Sequence, residues 1–298
     1  MHDNQPSGRD GAARHSIVDF EALHARGNSL RERGHYVEAE TCFQQTLRLA
    51  EALFDEHDPR LVPILNNFAV LGKYSGNFDE AEACYHRALT IATRHLGEEH
   101  PEIATLYHNL GGLEHARGRF EEAEPFARRA VEIREKAFGG NHLHTCADLA
   151  ALAAVLDGMK RYEESEPIYQ RVIERFECAL SSGEADTRYD IAINLNNLAA
   201  IYHAQGKLED AEALYRKALP IKEDLLGPDH PDVAVSLNNL GLILKTMGKL
   251  EEAASAYARA LKIFSATLRS DHPRLITCRE NHRKLQRVQS RHRQPTCP

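Results

Sequence analysis

The amino-acid sequence predicts an all-α fold in which about six helix pairs and a closing helix stack into a solenoid. Three observations predict it. Apolar residues recur at the spacing of an α-helix, the whole pattern returns about every 42 residues, and prolines stand at the connections between the copies. A helix pair of this size buries its apolar faces only against its neighbours, so the array should form one elongated domain.

The second helix of each pair, helix B, follows a recurring Gly-x step. It is predicted to begin at an aromatic residue or a leucine, at Tyr36, Phe78, Phe120, Tyr162, Leu208 and Leu250, with intervals of 42, 42, 42, 46 and 42 residues. A small residue stands three positions later, and apolar residues follow at seven and eleven, which places them on one helix face. The interval of 46 predicts a longer surface loop at 181–189, and Pro220 predicts a local bend in the fifth B helix.

The first helix of each pair, helix A, carries a pair of asparagines between apolar residues. The copies read LNNF (65–68), YHNL (107–110), LAAL (149–152), LNNL (195–198) and LNNL (237–240). More divergent copies stand at 23–27 and 279–282, and the last belongs to a closing helix without a helix B. Asparagine is a mediocre helix former and gains nothing from an apolar core, so packing does not explain why it recurs.

Prolines at 59, 101, 231 and 273 mark the connections, in the sequences EHDP, EEHP, PDHP and SDHP. Proline is tolerated at the start of a helix, and the Asp and His before it can cap the exposed amides. We therefore expect a disordered tail at 1–16, a solenoid at 17–291 and a second tail at 292–298. Within the solenoid, the repeats fall at about 17–58, 59–100, 101–142, 143–188, 189–230 and 231–272, followed by a capping helix at 273–291.

Residues 195–234, LNNLAAIYHAQGKLEDAEALYRKALPIKEDLLGPDHPDVA, resemble the tetratricopeptide repeat of the kinesin light chain type, which has 42 residues instead of the common 34. The resemblance covers about residues 17–291. It implies a right-handed superhelix whose concave groove, lined by the A helices, binds peptide segments of partner proteins. Kinesin light chains carry a long coiled coil before the repeats, whereas residues 1–16 are short and polar, so we expect the repeat domain alone.

The resemblance places the second asparagine of each motif in the groove. The candidate peptide-binding residues are Asn66, Asn67, Lys73, Tyr74, His108, Asn109, His115, Asn196, Asn197, His203, Asn238, Asn239, Lys245 and Asn281. An amide offers donors and an acceptor, so a row of amides could hold the backbone of an extended peptide. The alternative hypothesis is that the amides bond to each other or to neighbouring helix ends and fix the geometry of the repeats.

The distribution of charge indicates what kind of partner the groove takes. Residues 274–298 carry a net charge of +6, which leaves −13 for residues 1–273 of a chain whose total is −7. A chain this acidic argues against nucleic-acid binding. The basic end is interpreted as a polar cap and tail, with binding of an anionic partner or nucleic acid as the alternative. The expected groove positions are neutral to basic and include His24, His108, His115 and His203. We therefore expect an acidic extended segment to bind, more tightly at pH 6 than at pH 8.

No sequence motif points to catalysis, a cofactor or a metal site. The chain has no Gly-rich phosphate loop, nucleophile elbow or HExxH, and NHLH (141–144) occupies a connection where capping is the simpler explanation. No apolar run is long enough to cross a membrane, and no signal segment is present, so a cytoplasmic location is expected. The predicted function is a non-enzymatic protein–protein interaction module, an adaptor or scaffold. A ligand-responsive peptide sensor is the alternative, and an enzyme or metal-binding protein is a distant third.

Overall fold

The computed structural model describes the backbone of residues 8–293 and, within it, the side chains of residues 20–290 except Tyr74. Thirteen α-helices follow one another along this part of the chain. The A helices and the closing helix are α1 (Gly8–Glu32), α3 (Leu61–Ser75), α5 (Pro101–Arg117), α7 (Leu143–Gly158), α9 (Arg188–Ala204), α11 (Pro231–Thr246) and α13 (Pro273–Arg293). The B helices are α2 (Tyr36–Leu53), α4 (Phe78–Leu96), α6 (Phe120–Phe138), α8 (Tyr162–Ser182), α10 (Leu208–Leu226) and α12 (Leu250–Thr267). Each B helix begins at the residue that the repeat predicts.

The helices pack as a solenoid. Each helix packs against the next one along the chain, and each A helix also contacts the A helix of the following pair. No two B helices make comparable contact within the described residues. The A helices therefore lie on the inner side of the curve and the B helices on the outer side. The predicted helical-repeat solenoid is confirmed.

Small residues allow the two helices of a pair to approach closely. Ala39, Ala81 and Ala211, which stand three positions into their B helices, are fully buried. A Cβ atom added at Gly72 of α3 would lie only 2.6 Å from the Cβ of Ala81. A side chain at Gly158 of α7 would likewise meet the Phe120 ring at 2.3 Å. These positions admit no larger residue because protein cores are packed close to crystal density.

The histidines of the inter-repeat motifs cap the A helices. The Nδ1 atom of His230 accepts a hydrogen bond from the backbone N–H of Asp232 at 3.1 Å. His100 accepts the same bond at the start of α5, and His142, in the NHLH segment, does so at the start of α7. The capping role predicted for these connections is confirmed.

Two boundary features differ from the expectations or refine them. Helix α1 begins at Gly8, inside the expected tail, because residues 8–16 contain no proline and extend an existing helix at small cost. Residues 1–7 and 294–298 of the two expected tails lie outside the described residues. The insertion at 181–189 is shared between elements: α8 has 21 residues against 19 in α10, and the connection at 183–187 has only five. Helix α10 continues through Pro220, and the local bend predicted there stays a prediction.

The two ends of the solenoid meet. Arg269, just before α13, donates through Nη2 to the carbonyl oxygen of Ser75 at 2.6 Å and to Oδ1 of Asn77 at 3.0 Å. The start of α11 lies against the turn after α1, where a Cβ atom at Gly34 would fall 2.5 Å from Cδ of Pro231. We call these contacts the seam. The seam closes the inner face of the solenoid into a ring.

Candidate functional site

The closed ring surrounds a cavity of about 600 Å³. Residues of α3, α5, α7, α9, α11 and α13 line it, so the A helices supply most of its surface. Pockets that bury a small ligand have volumes of about 300–1,000 Å³. The cavity therefore has the size of a binding site for a compact ligand or a short segment of a longer chain.

One wall of the cavity is made of alanine. Ala147, Ala150, Ala151 and Ala154 of α7 face it, and Gly112 of α5 lies beside them. This is the repeat that reads LAAL instead of LNNL, so the absence of both asparagines leaves room that the other repeats fill with amides. The repeat that lacks the two asparagines is thus the one whose helix A borders the cavity with alanines.

The cavity also carries a charged cluster. Lys73 of α3, Lys222 of α10, Arg274 of α13 and Asp232 of α11 all line the cavity. Lys222 is only 4% exposed, and burial together with Arg274 lowers its pKa to about 8, against the opposing effect of Asp232. Burial and Arg274 also lower the pKa of Lys73 to about 8, again against the pull of Asp232. The two lysines therefore share the same charged neighbours.

Asp232 is the ionised partner of this cluster. Burial alone would raise its pKa, but Arg274, Lys222 and a hydrogen bond from the hydroxyl of Tyr189 hold the pKa below its usual value. The neighbouring carboxyl of Asp190 behaves differently, because burial raises its pKa. Asp232 thus remains negatively charged among three cations.

The predicted groove histidines differ from the expectation. Burial, Lys73 and Arg274 lower the pKa of His115 to about 4, against an opposing backbone hydrogen bond. Burial also lowers the pKa values of His24 and His203. The charge expected to appear at pH 6 is therefore absent at His115 and reduced at His24 and His203, because low-dielectric surroundings disfavour the imidazolium.

His108 is held by a buried carboxylate. Its Nδ1–H donates to Oδ1 of Asp148 at 2.8 Å, and Arg134 donates through Nε to the other oxygen at 2.9 Å. Asp148 is 2% exposed, and Nη2 of Arg134 also donates to the hydroxyl of Thr105 at 2.7 Å. This network joins α5, α6 and α7 and fixes the orientation of the imidazole at the cavity wall.

Several asparagines bond to neighbouring repeats, as in the alternative hypothesis. Asn109 donates to Oδ1 of Asn66 at 2.8 Å. Near the other end of the solenoid, Asn281 donates to Oδ1 of Asn238 at 3.2 Å. Both bonds join residues 43 positions apart and so tie successive A helices together. Asn67 bonds to His24 of the preceding repeat in a similar way, at 2.8 Å.

The asparagines near the cavity have different contacts. Asn196 donates to the hydroxyl of Ser236 at 2.5 Å. Asn239 forms a hydrogen bond with the buried phenol of Tyr215, and Asn197 lies beside that of Tyr169. These contacts connect A helices to the following A helix or to B helices, so the amides contribute to the repeat framework.

The structure brings six of the fourteen predicted residues to the cavity, namely Lys73, His108, His115, Asn196, Asn197 and Asn239. Asn66 lines a second, smaller cavity between α3, α4 and α5. The remaining described candidates line neither of these two cavities; they are Asn67, Asn109, His203, Asn238, Lys245 and Asn281. The side chain of Tyr74 lies outside the described residues.

Sequence reasoning missed the charged and polar residues that come from outside the asparagine motif. They are Tyr189, Asp190, Asn194, Lys222, Asp232 and Arg274. Asp232 and Arg274 directly follow the inter-repeat prolines, where the sequence indicated only helix starts and a basic end. Lys222 lies on a B helix, whereas the resemblance implies a groove lined by the A helices. The sequence does not indicate how strongly the array curves, and it is this curvature that brings the two ends together.

Metal sites and membrane spans have requirements that the described residues do not meet. No group of three or more His, Cys, Asp or Glu side chains among them is arranged to hold a metal ion. Among the helices described, none combines the length and apolar character that a membrane span requires. The cysteines at 42, 84, 146 and 278 are buried as free thiols, and Cys178 is exposed.

Comparison with known proteins identifies the repeat. Family models described as tetratricopeptide repeat match residues 64–136, 102–177 and 190–266, residues 20–53, and residues 151–225, which together cover more than half of the chain. No curated protein matches the chain.

Three solved structures are similar in fold. NprR in complex with its cognate peptide NprX is 14% identical, with a TM-score of 0.65 over 93% of this chain and 73% of that one. A Rap protein complexed with competence and sporulation factor is 15% identical, with a TM-score of 0.59 over 94% and 88%. BtubC (BKLC) from P. vanneervenii is 24% identical, with a TM-score of 0.51 over 85% and 94%. At these identities the likeness concerns the fold alone.

Proposed function

We propose a function from the premise that this chain belongs to the tetratricopeptide repeat family: it is a protein-interaction module that binds a short peptide segment in its central cavity. One observation carries the proposal. The A helices of five repeats and the closing helix together line a single cavity of about 600 Å³. A segment held there would contact most of the array at once, which is what a repeat protein offers that a single helix pair does not.

The chemistry of the cavity suits a peptide. The side chains of Asn194, Asn196, Asn197 and Asn239 line the cavity. Amide side chains can both donate hydrogen bonds to a peptide backbone and accept them from it. The alanine wall of α7 offers an apolar surface for a side chain of the same segment.

The seam limits the length of the ligand. An open solenoid could hold a long extended strand along its whole concave face, as the sequence resemblance implies. With the ring closed, the cavity takes a compact segment instead. The ligand therefore binds on the predicted concave side of the solenoid, but it is shorter than the extended segment that the resemblance implies.

The similar structures are compatible with this function. NprR and the Rap protein were each solved with a bound peptide or factor. They show that a solenoid of this general fold can bind such a ligand, and the support for this chain comes from its own cavity. The proposal assigns the chain an adaptor role with no catalytic step.

A second candidate is a ligand-responsive regulator, and the seam favours it. Residues on both sides of the seam line the cavity, among them Lys73 and Arg274. A ligand that contacts both would change the balance between closed and open rings, because it binds the two forms with different affinity. A regulator would show a change in radius of gyration on binding, whereas a rigid adaptor would not.

A display selection tests the proposed function. Wild-type protein is used to select from a random peptide display library, beside Ala151→Phe, which fills the cavity from its alanine wall. Ala213→Phe serves as the matched control because Ala213 is exposed on α10. We expect selected peptides to bind the wild type and the control equally and Ala151→Phe at least about tenfold more weakly, a loss of about 1.4 kcal/mol. Equal binding to all three proteins would contradict the proposal.

A further inference from the structure

We propose that Lys73, Lys222 and Arg274 form a site for a carboxylate group of the bound peptide. The inference rests on the proposed function and adds the chemical class of the ligand. Its cations stand outside the asparagine motif and come from the second repeat, the fifth repeat and the closing helix. The closed ring alone brings them together.

The electrostatic interactions indicate that the three cations face a common space. Arg274 and Asp232 each influence both Lys73 and Lys222, and Lys73 and Arg274 also act on His115. Lys73, Lys222 and Arg274 also line one and the same cavity. The cluster is therefore one site with residues from three helices.

The balance of charge in the cavity favours an anion. Its lining contains the three cations, and only Asp232 and Asp190 as carboxyl groups. Burial raises the pKa of Asp190, whereas the cations hold that of Asp232 low. Lys222 is buried, and a buried cation is costly unless anions compensate it. A ligand carboxylate would add negative charge beside the three cations, and the Arg274 guanidinium can bind it in a bidentate manner.

The neighbouring amides identify the anion as part of a peptide. Asn194, Asn196, Asn197 and Asn239 line the same cavity as the three cations. A free inorganic anion has no N–H to offer them. A peptide supplies both a carboxylate for the cations and backbone N–H groups for the amides.

A bound carboxylate would also join the two ends of the solenoid. Lys73 lies on one side of the seam, and Arg274 on the other. An anion between them would add an attractive contact across the seam and stabilise the closed ring. Acidic ligands should thus bind the closed form more tightly than the open form.

The test uses a positional-scanning hexapeptide library, synthesised once with a free C-terminal carboxylate and once amidated. We expect acidic or free-carboxylate peptides to bind the wild type at least about tenfold more tightly than neutral ones, or about 1.4 kcal/mol. Loss of the preference on amidation assigns the C-terminal carboxylate. Loss on replacing Asp and Glu by Asn and Gln assigns a side chain. Equal binding of acidic and neutral peptides would overturn the inference.

Variants locate the preference. Lys222→Met keeps the length of the side chain and removes its charge, and Lys262→Met is the matched control on the exposed face of α12. We expect Lys222→Met to lose most of the acidic preference while neutral peptides bind as to the wild type, and Lys262→Met to keep it. An unchanged preference in Lys222→Met would overturn the inference. Circular dichroism checks that both variants fold.

The wild type gives a second readout that does not depend on a variant. The charged or titratable groups around the two lysines are Arg274, Asp232, Asp190, His108, His115, His230, His272 and Tyr189. Since the lysine pKa values lie near 8, the attraction from the two lysines is present below that pH and is lost above it, while Arg274 stays charged. Affinity for an acidic hexapeptide should fall from pH 7 to pH 9.5 and also with added salt. A flat profile would overturn the inference.

The outcomes separate the two proposals. If the wild type captures no peptide, the proposed function is wrong, and this inference falls with it. If peptides bind in the cavity without any preference for acidic groups, the proposed function stands and this inference alone is wrong.

Discussion

Lys222 shows how a single buried charge affects the whole chain. Burial of its ammonium lowers the pKa by more than the attraction of Asp232 raises it, so the pKa falls to about 8. The unfolded chain would protonate the same lysine with a pKa of about 10.4. Between these values the unfolded state binds more protons, and stability must rise with pH. Below pH 8 the lysine is charged in both states, and the charged ammonium destabilises the folded state by its full amount.

The first prediction follows from this linkage. We expect the free energy of unfolding of the wild type to gain about 2 kcal/mol from Lys222 between pH 8 and pH 10.5, a gain that Lys222→Met lacks. Urea denaturation at a series of pH values measures it as the difference between the two proteins. Lys262→Met is the control and should follow the wild type. Parallel profiles for the wild type and Lys222→Met would contradict the prediction.

Asp157 gives a prediction of opposite sign. Burial raises its pKa to about 6, above its unfolded value, so the folded state binds the proton more tightly and stability falls as pH rises from 4 to 6. We expect Asp157→Asn to stabilise the protein at pH 7 by on the order of 1 kcal/mol, discounted for partial exposure, and to have no such effect at pH 4. Thermal unfolding at both pH values measures this. The exposed Asp229→Asn is the control; an equal gain at pH 4 and pH 7 would argue against burial of the carboxylate as the cause.

At the scale of the element, hydrogen bonds between helices account for several of the recurring asparagines. Asn239 of α11 bonds to the buried phenol of Tyr215 on α10. The sequence allowed two hypotheses for such an amide, namely that it binds a peptide or that it fixes the geometry of the repeats. Residue spacing could not distinguish them, because both hypotheses place the amide at the same position. Hydrogen bonds between side chains of different repeats favour the structural hypothesis. The bonds of Asn109 with Asn66 and of Asn281 with Asn238 are examples.

A double-mutant cycle tests the structural role of Asn239. We expect Asn239→Ala to lower the free energy of unfolding by about 1–3 kcal/mol, because it leaves the buried hydroxyl of Tyr215 without its partner. In a Tyr215→Phe background the same change should cost clearly less, since no hydroxyl remains. Urea denaturation of the four proteins gives the coupling energy. A coupling near zero would mean that the amide does not support the repeat.

The elements themselves could be predicted from the sequence almost to the residue. Tyr162 and Leu208 begin B helices as the repeat requires, despite the insertion between them, because apolar periodicity and the Gly-x step are local signals. The candidate site could be predicted only in part. Lys73 and His115 were found because they lie on A helices, whereas Lys222 and Arg274 reach the cavity through the curvature of the whole array, to which no local pattern refers.

At the scale of the molecule, the seam determines what the protein can bind. Small rotations between successive helix pairs add up along a solenoid and set its curvature. Here the sum brings Arg269 to the backbone of Ser75 and to Asn77, almost two hundred residues away in sequence. A solenoid whose ends meet has a cavity with a defined volume, and an open one has a groove.

A scattering experiment tests the seam. We expect Arg269→Ala to weaken the closed ring, because it removes two hydrogen bonds that no other described residue makes to Ser75 O and Asn77 Oδ1. Small-angle X-ray scattering should then show a larger radius of gyration, while circular dichroism shows unchanged helix content. Arg48→Ala is the control because Arg48 is exposed on α2. Identical scattering from the wild type and Arg269→Ala would show that these bonds do not hold the ends together.

The cavity inside the closed ring is the place where we expect a partner peptide to bind. The most direct measurement is a crystal structure of the wild-type protein with the peptide that binds tightest in the display selection. We expect its density between the alanine wall of α7 and the cluster of Lys73, Lys222 and Arg274, with backbone N–H groups directed at Asn194 and Asn196. A peptide bound on the outer B helices, with the cavity unchanged, would contradict this expectation.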